Sequence, residues 1–421
     1  MMKRCAFVAA IVLCAWISHA SLIFIPSDYG LSAEAASLAN AGVAIGENPF
    51  GSYYNPAFLA VTEGEDTAGS QLAIGYLYAL PQFDGGPKGD TEKFSESNQA
   101  IVLGMELALD SLFKKPYPLS FGLTLVADDN TNAFLHFTDG RSDKGEFQRY
   151  GISSVGISAG LGAKVYGPIY LGVGGLVGIQ ASTTMILRTT MGGKTSDESI
   201  EMKASPSLAP VVGIGLDWKK LNVGVTYRGK MVSKVGPVDA STQAVVGGSD
   251  LATIPLELYF KDGYVPQQVA LGALWRISDL FSVDLQADWL NWSDFSKEVE
   301  KKDNARKEIE LETKDIFVPR VGIEIDPLSY LAVRLGYRYE ETPFDKVGSG
   351  NNVVLDNSRH VASLGVGVKV EKPPLLSKPL DFDLTYSLFS LVARDIDTPD
   401  GRTFESSGML HNVLGTLTVR F

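Results

Sequence analysis

The strongest constraint on the fold is a repeat: segments of about ten residues in which apolar and polar side chains alternate with a period of two. Successive side chains of a strand point to opposite faces, so each such segment folds as a two-faced strand. In 330–339 one face is Leu331, Val333, Leu335, Tyr337 and Tyr339, and the other is Ala332, Arg334, Gly336 and Arg338. Leu221, Val223, Val225 and Tyr227 oppose Asn222, Thr226 and Arg228 in the same way. Phe281, Val283, Leu285, Ala287 and Trp289 oppose Ser282, Asp284, Gln286 and Asp288, while Phe382, Leu384, Tyr386 and Leu388 oppose Asp381, Asp383, Thr385 and Ser387. The pattern predicts fourteen strands, at 71–79, 99–109, 119–127, 152–165, 169–187, 207–218, 221–231, 265–277, 280–292, 316–326, 330–339, 359–371, 380–391 and 409–421. An even number lets the first and last strands pair antiparallel and close a ring.

One stretch reads differently at first. Residues 152–179 carry Lys164 as their single charge and are long enough for a membrane-spanning helix. They also hold Gly156, Gly160, Gly162, Gly172, Gly174, Gly175 and Gly178, which weaken a helix severely. A hairpin turning at Tyr166-Gly167-Pro168 is expected instead.

The connections alternate in length. Tyr166-Gly167-Pro168, Lys219-Lys220, Ser278-Asp279 and Pro327-Leu328-Ser329 are short, 110–118 and 372–379 are modest, and 128–150, 232–264, 293–315, 340–358 and 392–408 are long and polar. Short turns at one end and long loops at the other characterise an outer-membrane barrel. Alternation alone does not say which face points outward. Aromatic placement does: Tyr227, Trp289, Trp292, Tyr337 and Tyr339 stand next to long loops and Tyr166, Tyr170 and Trp218 next to short turns, as two interfacial girdles would.

The N-terminus supports export. Lys3-Arg4 precedes an apolar run from Cys5 to Ile17 and a small-x-small site at Ser18-His19-Ala20, so residues 1–20 are expected to be a signal peptide. The run is too short to span a bilayer. Both cysteines, Cys5 and Cys14, lie in it, leaving a chain without thiols. Loss of its two cations takes the formal net charge from −12 to −14, which argues against a nucleic-acid partner. His136, His360 and His411 remain, scattered and without a nucleophile signature, so no catalytic residues, metal site or cofactor is expected.

Residues 21–64 have neither period. Their centre runs Ala39-Asn40-Ala41-Gly42-Val43-Ala44 and then Tyr53-Tyr54-Asn55-Pro56-Ala57-Phe58-Leu59-Ala60. A fourteen-stranded barrel is too wide for side chains alone to fill, so this segment is expected to plug the lumen of the barrel formed by 65–421. Asn55-Pro56-Ala57 has a local reading as well, with Asn capping and Pro opening a short helix. Phe421, the last residue, closes an alternating strand and is expected to be the signal read by the barrel-assembly machinery.

These stretches, with Ala287-Asp288-Trp289-Leu290-Asn291-Trp292-Ser293-Asp294-Phe295 and Arg334-Leu335-Gly336-Tyr337-Arg338-Tyr339 before Thr342-Pro343-Phe344, resemble the FadL-like outer-membrane transporters of long-chain fatty acids and other hydrophobic compounds. The resemblance covers nearly all of the chain after its leader. It implies an all-β transmembrane barrel of about 14 strands closed by an N-terminal hatch centred on Asn55, Pro56 and Ala57, in the outer membrane of a Gram-negative bacterium. It further implies a hydrophobic small-molecule ligand caught by extracellular loops, held in an internal pocket, and released sideways at a kink in the third strand. Ligand contacts are expected at Phe24, Tyr29, Leu176, Leu290, Phe389 and Leu414, apolar residues on faces read as luminal. Outer-membrane lipid, lipopolysaccharide and the assembly machinery are the expected partners of a monomer. A secretion scaffold or receptor on the same fold, or a polar-solute porin, are the alternatives.

Two departures stand out. The loop 188–206 is short where a long capture loop is expected, so an outer groove is either reduced or built by 232–264. The third strand follows Pro116 and Pro118 but has no internal proline to kink it. Arg228, Arg276, Arg320, Arg334, Arg338, Asp284, Asp288, Glu324, Asp381 and Asp383 line the inner face with both signs, which fits mutual neutralisation better than an ion-selective ring. Asp128-Asp129-Asn130 and 395–400 read as solvated loop faces, with calcium binding as the alternative.

Overall fold

Each alternating segment forms a strand, and each strand pairs antiparallel with the next. In the computed structural model, which describes residues 25–61, 70–95, 97–109, 118–128, 155–190, 195–232, 238–246, 249–258, 264–295, 311–347, 356–373, 378–398 and 401–421, the wall is built from fourteen strands. They are β1 (Gln71–Pro87), β2 (Asn98–Ala108), β3 (Leu119–Asp128), β4 (Val155–Tyr166), β5 (Ile169–Thr190), β6 (Thr195–Asp217) and β7 (Leu221–Arg228). They continue as β8 (Gln268–Ser278), β9 (Phe281–Leu290), β10 (Ile316–Leu328), β11 (Leu331–Glu340), β12 (Arg359–Val370), β13 (Leu380–Asp397) and β14 (Thr403–Arg420). β14 pairs back onto β1 from Gln71↔Arg420 to Pro87↔Phe404, so the ring is closed and has no free edge. The glycine-rich stretch 152–179 supplies β4, the turn at Gly167 and β5, with Gly167 at φ +53° where the two-residue turn needs a left-handed residue.

The faces are inverted relative to a soluble barrel. Leu72, Ile74, Leu271, Leu285, Leu335, Leu364 and Leu384 are exposed, whereas Asn222, Thr226, Asp284, Asp288, Arg334, Arg338 and Thr385 are buried. A wall of this kind is stable only against lipid, with the polar groups satisfied inside. Tyr166, Trp218, Trp275 and Tyr330 are exposed beside short turns and Tyr227 and Tyr337 towards the long loops. Two residues expected in the girdles face inward instead. Tyr170 packs against Ala57, Phe58, Ala60 and Val61, and Trp292 is buried beside Phe295, which stacks edge-on with Phe344.

Several strands run further outward than alternation indicates. β1 continues to Pro87, β13 to Asp397, and β14 begins at Thr403. The expected loop 188–206 is largely strand: β5 and β6 pair from Ile169↔Leu216 to Thr189↔Thr195. Beyond the lipid no solvent difference separates the two faces, so the alternation lapses while the backbone ladder continues. The hairpin Val238–Val246/Ser249–Leu258 joins this tall wall, with Ser241–Val245 parallel to the end of β5.

The lumen is occupied by residues 25–61, which form only short elements: α1 (Ile25–Asp28), α2 (Ala33–Ser37), α3 (Gly51–Tyr54) and a 3-10 turn at Pro56–Ala60. Ser32 caps α2 through its hydroxyl, and Ala39 and Asn40, both left-handed, end it. Asn55 caps the 3-10 turn, accepting from the Ala57 amide at 3.0 Å, with Pro56 at its first position.

Candidate functional site

The seat of this plug explains why so many wall positions are glycine. Inward-facing glycines meet across neighbouring strands as Gly122↔Gly160, Gly162↔Gly172, Gly172↔Gly213, Gly215↔Gly224, Gly224↔Gly272 and Gly322↔Gly336. A Cβ at Gly172 would lie 2.2 Å from the Ala57 nitrogen, one at Gly162 2.1 Å from the Pro56 oxygen, and one at Gly336 2.2 Å from the Ala39 nitrogen. The plug backbone therefore lies directly on the wall backbone, a distance that any side chain would forbid.

Polar side chains fasten the plug around the ring. Arg228 donates from Nε to the Tyr53 carbonyl at 3.0 Å and from Nη2 to the Tyr54 carbonyl at 3.2 Å, and its guanidinium stacks 4.2 Å from the Tyr53 ring centroid. Arg320 reaches the Ala39 carbonyl at 2.8 Å and Arg338 the Asp28 carbonyl at 2.7 Å. Asn55 Nδ2 donates to the Val43 carbonyl at 3.0 Å and to the Ile214 carbonyl of β6 at 3.2 Å, and Gln286 accepts from the Val43 amide at 3.1 Å. Among the described residues two close ion pairs join plug to wall, Arg359–Asp28 at 2.8 Å and Arg420–Glu47 at 2.9 Å, and Arg334 Nη2 stands 4.0 Å from Glu34 Oε1. The wall charges also neutralise one another, through Arg320–Asp288, Arg334 with Glu324 and Asp383, and Arg420–Asp381. Asp284 is buried with neither oxygen hydrogen-bonded to a described residue.

The two ends of the plug differ in chemistry. Towards the short turns lies a cavity of about 410 Å³ lined by charge, including Glu34, Glu47, Arg276, Glu324, Arg334 and Arg420. Burial pushes the Glu34 carboxyl up to about 7 against the lowering pull of Arg334, with Asp383 and Glu324 adding to the rise. From mid-height outward the chemistry is apolar. Tyr29, Leu31, Phe50, Tyr53 and Tyr54 of the plug form one buried cluster with Leu77, Val102, Leu176, Val211, Met231, Val361, Phe389, Leu410 and Leu414 of the wall. Tyr29 and Phe389 meet edge-on at 5.8 Å between ring centroids.

Of the residues singled out in the sequence, Tyr29, Leu176, Phe389 and Leu414 meet in this cluster. Leu290 lies on the inner face at the end of β9, outside the cluster, and Phe24 lies outside the described residues. Phe421 is exposed at the chain end, where its amide and carbonyl pair with Ser70. Arg359 as a plug anchor was not legible, because it sits at a strand start where alternation is weakest. β3 pairs with β2 from Ala100↔Asp128 to Ala108↔Ser120 and with β4 from Leu119↔Ala163 to Leu125↔Ile157, with no register break in these described ladders.

Known proteins agree with this architecture. Residues 11–407 match the family described as outer membrane protein transport protein (OMPP1/FadL/TodX). Alkane uptake protein A of Marinobacter nauticus is 26% identical over 439 residues, covering 96% of this chain and 93% of that protein. A FadL homologue of Pseudomonas aeruginosa superposes with a TM-score of 0.57 at 15% identity, covering 94% of this chain and 97% of the other. The toluene transporter TodX of Pseudomonas putida superposes with a TM-score of 0.56 at 12% identity, covering 92% and 97%. The chain belongs to the OMPP1/FadL/TodX family, outer-membrane β-barrels of Gram-negative bacteria that act as transport channels for hydrophobic compounds and not as enzymes.

Proposed function

We propose that the barrel takes up neutral long-chain hydrocarbons, with alkanes ahead of fatty acids, by capture at the long-loop side and passage along the apolar surface between plug and wall when the plug shifts. The observation that carries this reading is the buried cluster in which Tyr29 of the plug packs with Leu176, Phe389 and Leu414 of the wall, apolar surface that a shift of the plug opens to the cargo. An apolar chain entering it gains about 25 cal/mol for each Å² withdrawn from water, so passage down a gradient needs no energy source. The preference for an uncharged cargo has a local reason. Arg228 beside the cluster already donates to Tyr53, Tyr54 and Gln268, and Arg359 to Asp28 and Glu340. A carboxylate would displace these bonds, whereas an alkane leaves them intact. The name of the Marinobacter relative supports the same choice.

Residues 21–64 act as the hatch in this reading, with Asn55, Pro56 and Ala57 as its fixed seat, and the protein works as a monomer inserted by the assembly machinery through its Phe421 end. Uptake of labelled hexadecane and palmitate by cells dependent on this protein tests the cargo. Leu176→Asp should reduce hexadecane uptake at least tenfold in a normally folded barrel. Unchanged uptake, or large steady ion conductance by the unaltered protein, would favour a polar-solute porin; a stoichiometric protein partner without uptake would favour a scaffold.

A further inference from the structure

Two of the three histidines that follow the leader stand on the face turned to lipid, where alternation otherwise places apolar residues. His360 of β12 and His411 of β14 are each held by a tyrosine: the Tyr337 hydroxyl lies 2.7 Å from His360 Nδ1, and the Tyr386 hydroxyl 2.7 Å from His411 Nδ1. Tyr339 adds a ring contact to His360 at 4.9 Å. Where the phenol donates to Nδ1, the ring proton stands on Nε2 and is available to an outside acceptor. The same arrangement built twice, on strands separated only by β13, is a built feature and not a stray polar residue.

Their height is also shared. His411 precedes the end of β14 at Arg420 by nine residues and His360 precedes the end of β12 at Val370 by ten. At ~3.3 Å per residue and a ~40° tilt both stand about 23–25 Å above the short-turn end, the top of an apolar band about 25 Å tall. Below them the outward positions are Leu364, Val366, Leu384, Val413 and Leu417, all apolar and exposed. Ser390, exposed, pairs with His360, and Leu388 pairs with His411, so the two imidazoles are one strand and two residues out of step, roughly 12 Å apart along the wall. The described outward positions of β11, β12, β13 and β14 between these levels carry no Asp, Glu, Lys or Arg. An anionic headgroup meets two imidazoles there, with Lys88, Asp395 and Glu405 in one exposed ion-pair cluster further out, at the end of β1 and on β13 and β14.

We propose that His360 and His411, positioned by Tyr337 and Tyr386, bind the phosphate groups of a phosphorylated disaccharide glycolipid of the outer leaflet. Each Nε2–H donates to a phosphate oxygen. The site rests on the placement of the barrel in the outer membrane and is independent of the cargo, so its failure leaves the uptake assay above untouched.

The test uses the full-length protein in a neutral detergent with 15N-labelled histidine rings, challenged with lipid A, with its dephosphorylated form and with phosphatidylglycerol vesicles. Lipid A alone should shift the Nε2 signals of His360 and His411 while His136 stays in place. In native mass spectrometry the double variant His360→Gln with His411→Gln should retain lipid A about tenfold less, and Tyr337→Phe with Tyr386→Phe should lose part of that retention; heat-modifiable gel mobility confirms that each variant folds. Equal shifts with the dephosphorylated lipid, a response confined to phosphatidylglycerol, or no shift at all would overturn the proposal.

Discussion

Adding one methyl group at Gly172 should loosen the plug without touching the wall. The Cβ of Gly172→Ala falls 2.2 Å from both the Ala57 nitrogen and the Pro56 carbonyl carbon. Ordinary contact needs about 3.4 Å, so one partner must move by more than an ångström. β5 is pinned at this point by Gly162 on one side and Gly213 on the other, so the movement falls to the plug. A shift there strains the Asn55 bond to the Ile214 carbonyl, 3.2 Å long, and the contacts of Phe58 with Gly215 and Leu59 with Gly122. Overpacking of this kind destabilises by about 1–3 kcal/mol. At about 2 kcal/mol the ratio of docked to displaced plug falls roughly thirtyfold. Gly415→Ala makes the same chemical change where the nearest atom is 3.7 Å away, and serves as the control. Single-channel recording in planar bilayers should show the open fraction rising about thirtyfold for Gly172→Ala and unchanged for Gly415→Ala. Equal open fractions in two heat-modifiable barrels would refute the close-seat argument.

Other outcomes follow from the anchors. Arg228→Ala removes three hydrogen bonds and the Tyr53 stack, and protease access to residues near Tyr53 should increase by an amount equivalent to about 2–4 kcal/mol. Asp288→Asn leaves Arg320 buried without its carboxylate, and refolding in detergent should show a loss of about 3–5 kcal/mol. Glu34 sets a pH dependence. Its docked pKa, about 7, lies above the free-chain value of 4.5; its contribution to docking is full below 4.5 and is lost as pH rises through about 7. Conductance should rise across that interval, and Glu34→Gln should remove the rise. Phe421→Glu should lower outer-membrane levels several-fold on immunoblots of membrane fractions; normal levels would count against a role for the chain end in assembly.

The wall was readable because lipid imposes a rule on every second residue. Where Leu335, Leu364 and Leu384 meet lipid, any polar replacement is disfavoured, and the pattern persists through fourteen strands. Outside the lipid the rule stops, which is why the outward parts of β5, β6, β13 and β14 looked like loops. Trp292 and Tyr170 show a second limit. An aromatic residue near a strand end suits a girdle or an inward cap equally, and only packing against Phe295 or Phe58 decides. The plug shows a third. Its anchors Arg228, Arg320 and Arg338 sit on an alternating inner face that charge balance also explains, and their carbonyl partners at Tyr53, Ala39 and Asp28 leave no trace in residue type. The glycine seat was visible as composition, but its meaning required the register.

Both cysteines, Cys5 and Cys14, lie in the expected leader, so once the leader is removed the plug can be locked without competing thiols. Ser52 of the plug and Thr124 of β3 stand with hydroxyl oxygens 2.8 Å apart, close enough for a disulfide after Ser52→Cys with Thr124→Cys. Hexadecane uptake by cells carrying this variant measures directly whether cargo requires the plug to move. Uptake should fall at least tenfold when the pair is oxidised and return on reduction. Full uptake through the oxidised barrel would contradict a hatch and place the path of the cargo elsewhere.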